Sequence, residues 1–410
     1  MLRIAASLVL LLTLLGAACG KDADQAPAGR ETPGVSATEI RIGSSLALSG
    51  HASFLGRQTL LGAMSYLTAV NDRGGVHGRK ITLLAEDDGY DPPRCVANTQ
   101  KLIADEKVFA LFGYVGTPTT IKIIPLLEEA RIPLVGAFTG ANALRDPFQR
   151  FVINVRASYY QETRAAVKHL VLDLGLRKIA VFYQYDAYGF DGLTGAELAL
   201  KEYGLAPVAQ GSYIRGTQEI EDGLAKIAAS GAQAVVMIGT YAPCAKFIQE
   251  AKRQGFAPLF YAVSFVGAGE MARILGPGDQ SLLIMSEVVP PPDLPETQSL
   301  LWGVAEYRDL LARYAPDEAP STVGLEGFVD AKILVEGLRR AGPNLTREKF
   351  IAAVESIRDY SLGIANTVSF SPQNHQGLER VYFTRMAGGK FTLINDWNRL
   401  AKGLAAPAAP

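Results

Sequence analysis

The sequence predicts an α/β protein built as two doubly wound, parallel-sheet lobes, and three observations predict it. Short apolar runs alternate with helical patterns along most of the chain, the order that produces parallel sheets with helices on both faces. The alternation begins afresh near Tyr159, with tyrosine-bearing loops at matching strand ends in the two halves. The globular part, about 370 residues, is too long for one hydrophobic core and suits two.

Residues 1–18 read as a secretory signal: Arg3, an apolar run from Ile4 to Leu15, then Gly16-Ala17-Ala18. The run is short for a bilayer span, and no later one reaches the ~20 residues a transmembrane helix needs. Cys19 follows where a bacterial lipoprotein signal places its lipid-modified cysteine, although Gly16 stands where Leu is expected. Simple cleavage after Ala18 would leave a free thiol; lipidation gives that lone N-terminal cysteine a purpose. Residues 19–37, rich in Ala, Gly, Pro and charge, read as a flexible tether.

Residues 40–48 form the first expected strand. Leu60, Leu61, Met64, Leu67 and Val70 recur at helical spacing before Gly74-Gly75 stops them. A strand over 81–85 ends in Glu86-Asp87-Asp88-Gly89-Tyr90, and Asp91-Pro92 opens a helix as a cap followed by proline. Residues 108–112 are apolar throughout, as in a strand buried on both faces. Gly113 and Gly116 loosen the backbone after it, Thr117 is expected to cap the next helix with Pro118 at its first position, and Tyr114 adds a ring with a polar tip. A helix start at the carboxyl end of a buried strand offers unpaired N–H groups and partial positive charge, where doubly wound sheets bind ligands. Strands over 132–135 and 151–155 flank the loop 136–141.

The second half repeats this order. Strands are expected at 178–183, 208–213, 234–238, 259–263 and 282–289, with a helix over 218–229. Loops carrying Tyr188, Tyr241, and Ser264 with Phe265 follow three of these strands. Pro290-Pro291-Pro292 then breaks the chain, helices are expected over 300–314 and 323–341, and strands over 365–370, 381–385 and 391–395. The first lobe is expected to comprise 38–157 with 289–360, the second 158–288 with 361–401, leaving 402–410 as a disordered tail.

Composition narrows the function. Net charge is −1, with 48% hydrophobic and 20% charged residues, so nothing favours nucleic acid or an anionic surface. No phosphate loop, dinucleotide fingerprint, zinc-protease helix or nucleophile elbow is present. The four histidines (His51, His77, His169, His375) are scattered, which disfavours a metal cluster. Glu86-Asp87-Asp88 reads as a solvated strand end or cap before it reads as a catalytic pair.

In their order and spacing the motifs resemble the periplasmic receptors of branched-chain amino acid transporters, the leucine/isoleucine/valine-binding type. They are Ser49-Gly50, 71–78 (Asn-Asp-Arg-Gly-Gly-Val-His-Gly), 87–92 (Asp-Asp-Gly-Tyr-Asp-Pro), 113–117, Ile132-Pro133, Tyr188-Gly189 and 239–243 (Gly-Thr-Tyr-Ala-Pro). The resemblance spans about Glu39 to Ile394. It implies a type I periplasmic-binding-protein fold with a multi-strand hinge, no catalysis and no cofactor or metal. It also implies a monomer that closes on a small-molecule ligand and presents it to ABC permease subunits outside the cytoplasm. A ligand-sensing module without transport, or an exported α/β enzyme, are the alternatives.

Carried over by position, the resemblance implies Thr117 as the hydroxyl on the ligand's carboxylate, aided by Phe138-Thr139. Leu55 stands where the family has an aromatic, and Tyr188 and Tyr241 close from the second lobe. Ser49, Tyr114 and Gly116 join them from the first lobe, and Ser264 and Phe265 from the second. Ser264 replaces the acid that receives an amino acid's ammonium. A buried ammonium without a carboxylate is costly, so the expected ligand is a carboxylate or amide with an apolar body and no ammonium. The family's first-lobe disulfide positions are Tyr90 and Gly116 here, so Cys95 and Cys244 are expected to be unpaired.

Overall fold

A computed structural model describes residues 32–279 and 282–405. The expected signal, Cys19 and the start of the tether lie outside them. The part of the tether that is described packs against the body: the Thr32 hydroxyl donates to Leu345 O at 2.9 Å, and Val35 bridges to Ile40. Its polar composition does not prevent this, because its backbone finds partners at the amino end of β1.

The first half runs β1 (Glu39–Leu46), α1 (Ser53–Asp72), β2 (Lys80–Asp87), α2 (Pro92–Ala104), β3 (Ala110–Phe112), α3 (Thr117–Thr120), α4 (Ile124–Ala130), β4 (Leu134–Val135) and β5 (Val152–Ile153). Its strands are parallel, in the order β2-β1-β3-β4-β5. The second half runs α5 (Tyr159–Lys168), β6 (Ile179–Gln184), α6 (Ala187–Lys201), β7 (Gln210–Tyr213), α7 (Glu221–Ala229), β8 (Ala234–Ile238), α8 (Tyr241–Arg253), β9 (Leu259–Ala262), α9 (Ala268–Leu275) and β10 (Leu283–Glu287). Every residue of β8 is buried, as a strand covered by helices on both faces must be.

The chain then returns through α10 (Pro295–Leu300), α11 (Trp302–Tyr314), α12 (Thr322–Ala341) and α13 (Arg347–Glu355). A two-stranded ribbon of β11 (Tyr360–Ser361) and β12 (Thr367–Val368), the hairpin β13 (Tyr382–Ala387) and β14 (Lys390–Leu393), and α14 (Trp397–Ala405) complete it. The second sheet has the order β14-β13-β10-β9-β8-β6-β7, parallel except for the antiparallel hairpin.

α12 packs into the first lobe's core and crosses α1 at backbone distance. A Cβ on Gly62 would fall 1.7 Å from Gly324 O, and one on Gly327 2.1 Å from Thr59 O. Glycine is what permits that approach.

Several boundaries differ from expectation. α1 starts at Ser53, about two turns before the periodic run, because Leu55 and Gly56 already pack on the end of β1. Thr117 begins α3 instead of capping it; Gly116, at φ +102°, is the cap. Leu362, Ile364, Val368, Phe370 and Leu378 belong to the first lobe's core, so the third crossing comes after Leu378, where the sequence had placed it at 361. The tail is helical through Ala405, where α14 ends. The first and third crossings run side by side: Asn154 N–H donates to His375 O at 2.8 Å, and Leu378 N–H to Val155 O at 2.7 Å.

Candidate functional site

The carboxyl ends of β1, β3 and β4 face those of β6, β8 and β9, and the segments after these strands meet one another. Phe265, on a short turn behind β9, is fully buried at the centre. Its ring lies 4.6 Å from Tyr188 and 6.4 Å from Tyr159 in the second lobe, and 5.6 Å from Phe138 and 6.0 Å from Tyr90 in the first. Such tilted and edge-on aromatic packing joins the lobes in one apolar cluster, which also includes Leu55.

Local chemistry holds each piece. Asp186 caps α6 by accepting from Tyr188 N–H at 3.0 Å, and the Tyr188 hydroxyl donates to Gly239 O at 3.1 Å. The Thr117 and Thr139 hydroxyls are both buried, 2.6 Å apart. Gly116 admits the Tyr90 ring: a Cβ there would lie 2.0 Å from Tyr90 Cε2. Tyr241 meets Phe54 of the first lobe edge-on at 6.2 Å.

Two expected site residues lie elsewhere. Tyr114 is buried in the first lobe's core, its hydroxyl 2.9 Å from Thr99 on α2. Tyr90, at φ +63°, supplies the ring in its place. Ser49 is exposed at the rim, its hydroxyl donating to Asp87 at 2.5 Å. That bond and three backbone N–H groups hold Asp87 down to about 2, against the effect of its partial burial.

Sequence reasoning missed the charged groups beneath Phe265. Arg156, 3% exposed, follows the first crossing. A capping box of Ser158 and Gln161 starts α5 and turns Glu162 inward. Glu162 is fully occupied: its Oε2 accepts from Ser264 N–H at 2.8 Å and from Ser286 at 2.5 Å, its Oε1 from the Ser264 hydroxyl at 2.9 Å. The Arg156 guanidinium donates to Ser264, lies 3.3 Å from Glu162, and approaches Glu326 of α12 at 3.3 Å. An acid therefore does stand at Ser264, delivered by α5, but its oxygens are taken.

Glu287 and Asp330 add two more buried carboxyls. Burial, reinforced by Glu326, pushes both well above the carboxylate range. Burial pushes Glu326 itself up to about 7, against the pull of Arg156. Arg156 goes the other way: Glu326 and Glu162 outweigh its burial and hold it charged. The only sequence signal was Arg156 and Glu162 on either side of a capping motif.

Two facing lobes, a three-crossing hinge and an enclosed cluster at the strand ends define a bilobed binding protein. The family model described as periplasmic binding protein matches residues 39–390, and the chain belongs to that family. The crystal structure of a possible leucine/isoleucine/valine-binding protein from Rhodopirellula baltica SH 1 is 34% identical. It superposes with a TM-score of 0.83 over 91% of this chain and 99% of that one. An amino acid binding protein of Pseudomonas aeruginosa is 26% identical over 239 residues, 58% of this chain; the match spans 64% of that protein's length. Leu/Ile/Val-binding protein homolog 7 of Brucella abortus is 26% identical over 316 residues, 74% of this chain and 77% of that one. The chain is thus a periplasmic-type solute-binding receptor, and its relatives are binding proteins. Among the described residues no helix is long and apolar enough to cross a membrane.

Proposed function

We propose that this receptor serves an ABC importer, closing on a small carboxylate- or amide-bearing ligand with an apolar body and delivering it to permease subunits. The observation that carries this is the cluster itself. Phe265 from one lobe stands among Leu55, Tyr90 and Phe138 of the other, with the Thr117–Thr139 hydroxyl pair in the neighbouring loops. Rings and aliphatic groups suit an apolar body, and a few buried hydroxyls suit one polar end. A ligand gripped by both lobes shifts the open–closed balance by its differential affinity for the closed form.

The occupied state of Glu162 argues against an ammonium on the ligand, because the acid nearest Ser264 has no oxygen to spare. The test is a melting-temperature screen of the mature protein against apolar carboxylates, their amides and free amino acids, with the recovered ligand checked for conversion. A rise with unchanged carboxylates supports the proposal, since ligand bound only to the native state stabilises it. Conversion of the ligand, or a rise confined to free amino acids, would contradict it.

A further inference from the structure

Several buried donors in the cleft have no acceptor. Arg156 uses one terminal nitrogen on Ser264 and Glu162, but its Nε and Nη1 make no hydrogen bond. The contact of Nη1 with Glu326 is an ion pair without hydrogen-bond geometry. The guanidinium lies 4.9 Å from the centre of the Phe138 ring and 5.8 Å from that of Tyr159. The Tyr159 hydroxyl, fully buried, is likewise unpartnered; Thr139 and the Gly140 backbone lie beside it without completing a bond. Buried polar groups in native proteins are rarely left so. Beside the Phe138 and Tyr159 rings what is unpaired is donor, the N–H groups on Arg156 Nε and Nη1 and the Tyr159 O–H; Glu287 Oε1, also without a partner, belongs to a carboxyl that burial pushes well above the carboxylate range. The complement is an acceptor with several lone pairs, and beside a guanidinium that acceptor is an oxyanion.

The geometry points to Arg156 and Tyr159 as the anchor for the ligand's carboxylate, which accepts from Arg156 Nε and Nη1 and from the Tyr159 hydroxyl. This rests on the receptor function proposed above and narrows its ligand from carboxylate or amide to carboxylate. Arg156 carries one positive charge, already paired with Glu162, so an added anion requires Glu326, Glu287 and Asp330 to hold protons. Glu326 faces Arg156 and Glu162 across the cleft, Glu287 at the end of β10, and Asp330 on its own helix. Its proton is the one closest to leaving near neutrality. Anion binding above about pH 7 then takes up a proton at Glu326, and affinity falls by up to about tenfold per pH unit.

Arg156→Gln strands Glu162 beneath Ser264 and can fail to fold for that reason, so Tyr159→Phe is the primary variant. It deletes one oxygen that has no partner within the protein. The probes are benzoate and 4-methyl-2-oxopentanoate, with benzamide, 4-methylpentanamide and L-leucine for comparison, titrated calorimetrically at pH 6, 7 and 8. The expected result is carboxylate binding at least tenfold tighter than amide. Tyr159→Phe should weaken it about tenfold with an undiminished melting temperature, and wild-type affinity should fall between pH 7 and 8. Equal binding of carboxylate and amide, untouched by Tyr159→Phe, would overturn the anchor and leave the receptor function standing. No binding of any carboxylate or amide would overturn both.

Discussion

At the residue scale, the side chains that matter most are those whose polar atoms meet another element. Thr117 is the clearest case, since its hydroxyl serves neither its own helix nor solvent, only Thr139. Thr117→Val keeps the shape and leaves Thr139 its bond from Ala141 N–H. The fold should therefore tolerate it, while a polar ligand atom loses a partner at a cost of about 1–3 kcal/mol. Calorimetry should show roughly five- to 150-fold weaker binding with a melting temperature within a few degrees of wild type; unchanged affinity would reduce Thr117 to packing. Positions at this scale were legible where a strand end dictated them, as at 116–117, 138–139, 188 and 264–265. Tyr114 was not, because tyrosines follow the strands on both sides of β1 and the local backbone decides which ring enters the cleft. Arg156 was not, because its partners lie on α5, on the turn behind β9 and on α12.

At the element scale, α12 is the costly component. It is apolar enough to fill the first lobe's core, yet it turns Glu326 and Asp330 toward the cleft. Both carboxyls, with Glu287, are raised above their unfolded values by burial. A raised acid contributes stability that is fully present below its unfolded pKa and lost as pH rises through its folded one. For Glu326 that window runs from about 4.5 to about 7, at about 1.4 kcal/mol per pKa unit. Asp87, lowered to about 2, has the opposite sign, but its window lies below pH 4. The melting temperature should therefore fall between pH 5 and pH 8, and Glu326→Gln should flatten the fall. A flat or rising wild-type profile would show that these carboxyls are not held as the fold implies. The alternation of β and α was readable from apolar runs; the start of α1 was not, because its first turn is fixed by contact with β1 and not by its own periodicity.

At the scale of the whole molecule, two cores are joined at three crossings and share one aromatic cluster. Cys95 belongs to the first core and Cys244 to the second, both buried and unpaired. A bridge between them would lock the hinge. Thiol counting on the denatured, unreduced mature protein should find both; their absence would mean that the lobes are covalently tied. The two-lobed plan was visible in the repeated order of motifs, whereas the third crossing was not. The ribbon of β11 and β12 has strand character that suits either lobe, and only its packing against the first core assigns it.

The central claim is that the cleft between these lobes takes an apolar carboxylate through hydroxyls and donors, the acid at Ser264 being fully engaged by the protein itself. The most direct measurement is a calorimetric titration of the mature protein with 4-methyl-2-oxopentanoate beside L-leucine, two bodies of similar shape that differ at the α-position. Saturable one-to-one binding of the oxoacid, at least tenfold tighter than leucine and with the oxoacid recovered unchanged, is the predicted result. Micromolar or tighter binding of leucine that is lost in the oxoacid would contradict it and assign the ammonium to a carboxylate of the hinge cluster.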